Sequence, residues 1–265
     1  MTLRRRIYWL IALAAVMALG GTGLTPTSGL TSAGGPSPAP AAQVAANHQA
    51  KASPADIDPG DFVSEVDNEF FPLEPGTTFF YEGAKDGVPA SDETYVTHDT
   101  KQILGVNTTV VHDRAFEGGV LVEDTFDWYA QDVDGNVWYF GEYTEQLNGN
   151  GNVIGTEGSW EAGVDGAQPG IVMEAKPRAG DRYQQEFAPD VAEDMARVLS
   201  LDKSACVQYG CFDDLLLTRE WTPLEPGVAE RKYYAEDVGF IFGVMVRGGH
   251  EHTELVRITT ESPPD

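Results

Sequence analysis

The stretch YAQDVDGNVWYFGEY (residues 129–143) sets acids, aromatics and two glycines side by side. It admits three readings: a calcium loop, a catalytic acid pair or a β-hairpin. Asp132, Asp134 and Asn136 imitate positions 1, 3 and 5 of an EF-hand loop. Position 6 is Val137 where that loop needs Gly, and position 12 is Tyr143 where it needs Glu. The hairpin accounts for more. Val133 and Asp134 suit the centre of a type I turn, and Gly135 suits the left-handed position of a G1 bulge. In that register Trp128 faces Phe140, Ala130 faces Trp138 and Phe126 faces Glu142, which predicts one apolar face turned to the core. The other face carries Tyr129 opposite Tyr139, Asp127 opposite Gly141 and Thr125 opposite Tyr143. It predicts a solvent-facing rim of tyrosines around a carboxylate, a surface suited to a sugar or an organic cation. Asp127, Tyr129, Tyr139 and Tyr143 are therefore candidate ligand-binding residues, with Trp160 from the following loop. Glu142, alone on the apolar face, needs a partner or a raised pKa.

Outward from the hairpin, short segments alternate apolar and polar residues with the period of a β-strand. They lie at 77–82, 93–102, 108–116, 120–132, 136–145, 181–187, 214–222, 230–236, 239–246 and 252–259. Gly, Asp, Asn and Pro punctuate them, and the short connections favour antiparallel neighbours. The phrase PLEPG occurs at 72–76 and again at 223–227, and KPRAG occupies 176–180. Pro fixes φ and Gly permits a left-handed turn, so each reads as the lead into a strand. The exception is PDVAEDMARVLSL (189–201). Asp190 stands as N-cap, Glu193 completes a capping box, and Val191, Met195, Val198 and Leu199 fall on one helical face. A helix over about 190–200 is predicted, with Glu193, Asp194 and Arg197 toward solvent. The fold class is mostly β: a long antiparallel meander forming a curved sheet, half-barrel or barrel, with this one amphipathic helix.

The ends bound the location. Arg4, Arg5 and Arg6 precede an apolar run and then small residues at Thr31, Ser32 and Ala33, the pattern of a secretory signal over 1–33. Residues 34–60, rich in Ala, Pro, Gly and Ser, read as a disordered spacer. Residues 61–262 read as a single β-rich domain. A secreted or extracytoplasmic location is expected, with no membrane span once the signal is cleaved. The chain has 17 basic and 42 acidic residues, and without the three signal arginines its net charge is near −28. Such a charge argues against nucleic-acid partners. Cys206 and Cys211, the two cysteines, are expected to form a disulfide in an oxidising compartment.

Other residue sets bear on chemistry. The Gly-rich segment 155–171 reads as a long loop carrying Trp160, Glu161 and Asp165, and the last two form a candidate acid pair of the glycosidase type. His250, His252 and Glu254 share one face of an expected strand and form a candidate zinc set. His98 and His112 could join them only if strands bring them close. No nucleophile elbow, phosphate-binding loop, dinucleotide fingerprint or HExxH motif is present, and no cofactor is called for.

The phrases FFPLEPGTTFFYEG (70–83), DWYAQDVDGNVWYFGEY (127–143), GSWEAGVDGAQPGIVM (158–173), GDRYQQEF (180–187) and EWTPLEPGVAERKYYAEDVG (220–239) resemble a set of exported β-rich bacterial proteins without an established activity. The resemblance implies an exported β-rich domain. At the level of fold the chain is also similar to envelope carriers of the LolA and LppX type, which wrap a curved antiparallel sheet around an apolar cavity. The expected function is a non-catalytic binding or carrier protein of the cell envelope, its partner a small molecule, lipid or glycan. The alternatives are an extracellular carboxylate-dependent hydrolase of glycans or esters, working through carboxylates near Glu161, Asp165 and Asp127, and an acidic calcium-binding surface protein.

Overall fold

The computed structural model describes residues 57–260. The expected signal peptide, and the spacer up to residue 56, lie outside the described residues. A short 3-10 turn, Pro59–Asp61, leads into seventeen strands. They are β1 (Asp67–Asn68), β2 (Phe71–Pro72), β3 (Thr78–Lys85), β4 (Val88–Ile103), β5 (Val106–Glu117), β6 (Val120–Gln131), β7 (Val137–Leu147), β8 (Val153–Gly155), β9 (Trp160–Glu161), β10 (Gln168–Met173), β11 (Arg182–Gln184), β12 (Glu186–Phe187), β13 (Met195–Cys206), β14 (Cys211–Trp221), β15 (Ala229–Ala235), β16 (Gly239–Arg247) and β17 (Glu251–Thr259).

Two antiparallel meanders make the wall. One runs β3 to β7 and continues to β10 and β12; the other runs β13 to β17 and starts from β11. They join where the last strand, β17, pairs with β3. The free ends of the path, β11 and β12, are two parts of one extended segment, 182–187. Its first half pairs with β13 and its second half with β10, and the Gln185 amide donates to Asp194 O at 2.8 Å. The sheet is thereby a nearly closed antiparallel barrel. Gly170 makes this seam possible. A Cβ at that position would sit 2.3 Å from the Gln185 carbonyl oxygen, so no other side chain fits without moving the backbone.

The expected hairpin is present. Gly135 N donates to Asp132 O at 3.0 Å, Asp132 N donates to Asn136 O at 2.9 Å, and Gly135 has φ 93°. The Asp132 carboxylate is occupied by the turn itself: it accepts from the amides of Asp134 and Asn136, from Asn136 Nδ2 and from Trp138 Nε1, at 2.8–3.0 Å. Pairing follows the predicted register from Gln131↔Val137 to Tyr129↔Tyr139, then shifts by one residue at a bulge. Beyond it Trp128 faces Gly141, Asp127 faces Glu142 and Phe126 faces Tyr143. Gly141, with φ 130°, allows the bulge and lets β9 approach, since a Cβ there would lie 2.3 Å from Trp160 O.

The predicted facing holds only in part: Trp128, Ala130 and Phe140 are buried and Tyr143 is exposed as expected, but the tyrosine side is the one that faces the barrel interior. Tyr129, Tyr139, Asp127 and Thr125 point into the barrel and are buried, whereas Phe126 is 38% exposed and Tyr143 43% exposed on the outside. Trp128 and Phe140, on the outer face, are also buried, because other parts of the chain cover them. Phe62 packs edge-on against Trp138 and Phe140, and Lys101 Nζ lies 3.2 Å from the Trp128 ring centroid while pairing with Glu161 at 2.7 Å. The β1–β2 hairpin reaches from one turn to another: Asn68 Nδ2 donates to Gly135 O and Glu174 O, and Asp237 N donates to Glu69 O. It brings Phe71 against Tyr129 at 5.3 Å.

The predicted helix is a strand. Asp190, with φ 60°, sits in a tight turn, and its amide donates to Glu193 Oε1 at 3.2 Å, so the capping contact forms without a helix. Ala192, Asp194, Ala196 and Val198 are buried in alternation, a period of two that competes with the helical stripe. Pairing with β14 and β11 on its two sides selects the extended form, and Asp194 is buried rather than solvated. The expected loop 155–171 contains β9 and the start of β10. Cys206 and Cys211 form the expected disulfide at the end of the β13–β14 hairpin, with their Cα atoms 4.0 Å apart.

The seam gives a direct test of the closure. Gly170→Ala should lower Tm by about 5–10 °C, equivalent to about 2–4 kcal/mol, through displacement of Gln185. Gly149→Ala, where a Cβ meets nothing within 4 Å, should leave Tm unchanged within about 1 °C. Equal thermal scans for the two variants and the parent would contradict the closure.

Candidate functional site: an acid-lined inner wall

Alternation along registered strands decides which side chains the barrel encloses. One inner row runs Tyr81, Asp92, Ala115 and Glu123, and the next runs Phe79, Thr94, Asp113, Thr125 and Thr144. Then come Val111, Asp127 and Glu142, and after them Tyr129 and Tyr139. The other meander contributes Glu220 beside Glu230, and Thr218 beside Lys232. Glu186 on β12 and Asp194 before β13 complete the wall near the seam. A wall this rich in carboxyl groups is unusual, because an ionised carboxylate loses several kcal/mol of hydration on burial.

The two arcs meet this cost differently. In the β14–β15 arc a lysine neutralises the acids. Lys232 Nζ lies 2.9 Å from Glu220 Oε2 and 3.2 Å from Glu230 Oε1. Thr218 Oγ1 and Tyr234 OH both donate to Glu220 Oε1, at 2.7 and 3.0 Å. Burial works against the ammonium charge, but the two glutamates outweigh it and hold Lys232 above the ordinary lysine value. Burial pushes Glu230 up to about 7 even so.

In the β4–β7 arc the acids face one another. Thr94 Oγ1 donates to Asp113 Oδ2 at 2.8 Å, and Tyr139 OH donates to Asp127 Oδ1 at 2.5 Å. Thr125 and Thr144 share a short hydroxyl hydrogen bond, and Thr144 approaches Glu142 at 3.5 Å. Tyr129 stacks on Tyr139 with ring centroids 4.7 Å apart, and Trp160 meets Tyr139 edge-on while donating from Nε1 to Glu186 Oε2 at 2.9 Å. Burial raises Asp92, Asp127, Glu142 and Glu186 well above the usual carboxylate range, with neighbouring acids adding to it. Burial also lifts Asp113 to about 6 and Asp194 to about 7. Burial lifts Glu123 to about 8, only partly relieved by Lys85. At neutral pH much of this wall therefore carries protons and presents neutral carboxyl groups as donors and acceptors. Both oxygens of Glu123 and the Tyr129 hydroxyl are buried without a hydrogen-bond partner in the protein.

The candidate residues divide accordingly. Asp127, Tyr129 and Tyr139 meet, but on the inner wall, and Trp160 reaches them there through Tyr139. Tyr143 is apart from them, outside, and donates to Glu145 at 2.8 Å. Glu161 pairs with Lys101, and Asp165 holds φ 49° in a turn. His252 and Glu254 lie on β17, and Glu254 Oε2 accepts from Gln208 N at 3.1 Å, while His250 lies in the preceding turn. His112 pairs with Asp124 at 2.7 Å. No group of three or more His, Cys, Asp or Glu side chains among the described residues has the geometry to hold a metal ion. Sequence reasoning missed Asp92, Asp113, Glu123, Glu186, Asp194 and Lys232. The available signal was a polar period of two in EDTFD (123–127), where Glu123, Thr125 and Asp127 fall in phase with Tyr129.

No protein-family model matches the chain, and no curated protein does. Two solved structures are similar to it. One is provisionally described as an exported protein with a YmcC-like fold, from Bacteroides fragilis, with 15% identity over 72% of this chain and 99% of that one, at a TM-score of 0.45. The other is provisionally described as a lipoprotein, from Parabacteroides distasonis, with 10% identity over the same shares, at a TM-score of 0.39. Among the described residues no helix is long and apolar enough to cross a membrane.

The raised carboxyl values fix the sign of the pH dependence. A carboxyl that binds its proton more tightly when native stabilises the fold below its unfolded pKa, near 4, and loses that contribution as pH rises through the native value. The window here runs from about 4 to about 8, the value of Glu123. Tm should therefore fall by several degrees or more between pH 5 and pH 8.5. Glu123→Gln should raise Tm at pH 8.5 and leave it little changed at pH 5. A Tm that climbs over this range in both proteins would refute the neutral wall.

Proposed function

We propose that this is a non-catalytic binding protein of the bacterial cell envelope that holds a small polar ligand against the inner wall of its barrel. The observation that carries the reading is the buried Tyr129 hydroxyl, without a protein partner beside Asp127 and Tyr139. An unmet buried polar group costs about 1–3 kcal/mol, and native proteins keep few of them. Groups kept in that state on one inner wall act as a preset array of donors and acceptors for a ligand. The wall's carboxyl groups favour a polar molecule over a lipid tail, which would leave every one of them unmatched. The N-terminal signal pattern and the Cys206–Cys211 disulfide support work outside the cytoplasm.

A hydrolase is less well supported. Glu161 is engaged by Lys101, which also covers the Trp128 ring on the outer face. Glu161→Gln with Asp165→Asn should leave ligand binding intact.

Native mass spectrometry of the purified mature protein tests the reading, together with thermal scans against sugars, amines, amino acids and fatty acids. A retained polar mass, or a Tm rise of about 5 °C with one polar class, is expected at a hundredfold excess over Kd. A rise with fatty acids alone would overturn the polar assignment.

A further inference from the structure

Resting on that reading, we infer that the ligand is an organic ammonium ion, received where Tyr129, Tyr139, Asp127 and Glu142 meet. The barrel itself shows how it accommodates such a group. The Lys232 ammonium is enclosed by two carboxylates from neighbouring strands, Glu220 and Glu230, which are register partners. Tyr234 OH donates to one of them, and a threonine two residues away, Thr218, does the same.

The β6–β7 wall repeats these parts without a lysine. Asp127 and Glu142 are register partners on adjacent strands. Tyr139 OH donates to Asp127 Oδ1 at 2.5 Å, and Thr144, two residues from Glu142, approaches its Oε2 at 3.5 Å. What this wall adds is a second tyrosine. The Tyr129 ring is nearly parallel to Tyr139, with an interplanar angle of 17° and centroids 4.7 Å apart. That stacking sets the Tyr129 hydroxyl beside the Tyr139–Asp127 hydrogen bond. It is buried, and no protein group pairs with it.

An ammonium has three N–H donors and no acceptor, so it matches a site of two carboxylates and a hydroxyl oxygen. Its carbon substituents would lie beside the Tyr129–Tyr139 stack. A metal ion suits the place less well, since no metal-ligating group of three is assembled among the described residues. Neutral sugars could use the hydroxyls and protonated carboxyls but offer no charge that would draw the two acids into their ionised form. The ammonium supplies it, as Lys232 does in the other arc.

Thermal scans and calorimetry on the mature protein in 0.15 M NaCl, which limits loose attraction to the acidic surface, test the inference. The probes are butylamine, putrescine and tetramethylammonium, with a neutral disaccharide and CaCl2 beside them. A primary amine should raise Tm by about 5 °C at a hundredfold excess over Kd, and the disaccharide should not. Tyr129→Phe removes only the hydroxyl and should weaken amine binding about tenfold with the fold intact. Asp127→Asn with Glu142→Gln should abolish it. An amine response undiminished in these variants would overturn the site. A response to the disaccharide alone would overturn the cation assignment and leave the polar-ligand reading standing. Silence toward every probe class, with no retained mass, would overturn both.

Discussion

The structure depends on one electrostatic constraint: carboxyl groups are enclosed in a nearly closed barrel with too few cations to neutralise them. Closure comes from the segment 182–187, which pairs with β13 on one side and β10 on the other, against the bare backbone of Gly170. Once the wall is closed, each inward acid must find a cation or keep its proton. Glu220 and Glu230 find Lys232. Asp92, Asp127, Glu142 and Glu186 face mainly other acids, and burial raises them well above the usual carboxylate range. The high negative charge of the whole chain and the raised carboxyl values of its interior are therefore compatible.

This division bears on function through the type of array it creates. A neutral carboxyl both donates and accepts, and it can surrender its proton when a cation arrives. A wall of such groups is responsive to ligand charge in a way that an apolar cavity is not. The β1–β2 hairpin, which reaches from the β6–β7 turn to the β15–β16 turn, brings Phe71 onto Tyr129 and so lies close to the unpaired hydroxyl. Closure and proton retention meet at that tyrosine pair.

Much of the fold was legible in the sequence, for local reasons. The turn at 132–136 is specified by Gly135 and by an Asp132 side chain that binds four donors, so its register near the turn followed from four residues. The strands announced themselves by alternation, and the disulfide by its compartment and spacing. What failed needed non-local information. Alternation fixes which residues share a face but not which face is inside. On the β6–β7 hairpin the tyrosine face is covered by the barrel and part of the other face by Phe62 and Lys101, so tryptophans outside and tyrosines inside were as compatible with the pattern as the reverse. The bulge at Gly141 coincides with the pairing of β9 to β7, a contact that the hairpin's own residues do not announce. The segment 189–201 carries a helical stripe and a strand alternation at once, and only its neighbours β11 and β14 decide between them. The acid wall was hidden because acids on alternating positions ordinarily mark a solvent face.

Carbon-13 carboxyl resonances, followed from pH 3 to pH 9 with Glu123→Gln for assignment, test the central claim most directly. The account predicts that Glu123 titrates near 8 and Asp113 near 6. It also predicts that Asp127 and Glu142 stay protonated well above the ordinary carboxylate range. A spectrum in which every carboxyl has lost its proton by pH 5 would contradict it.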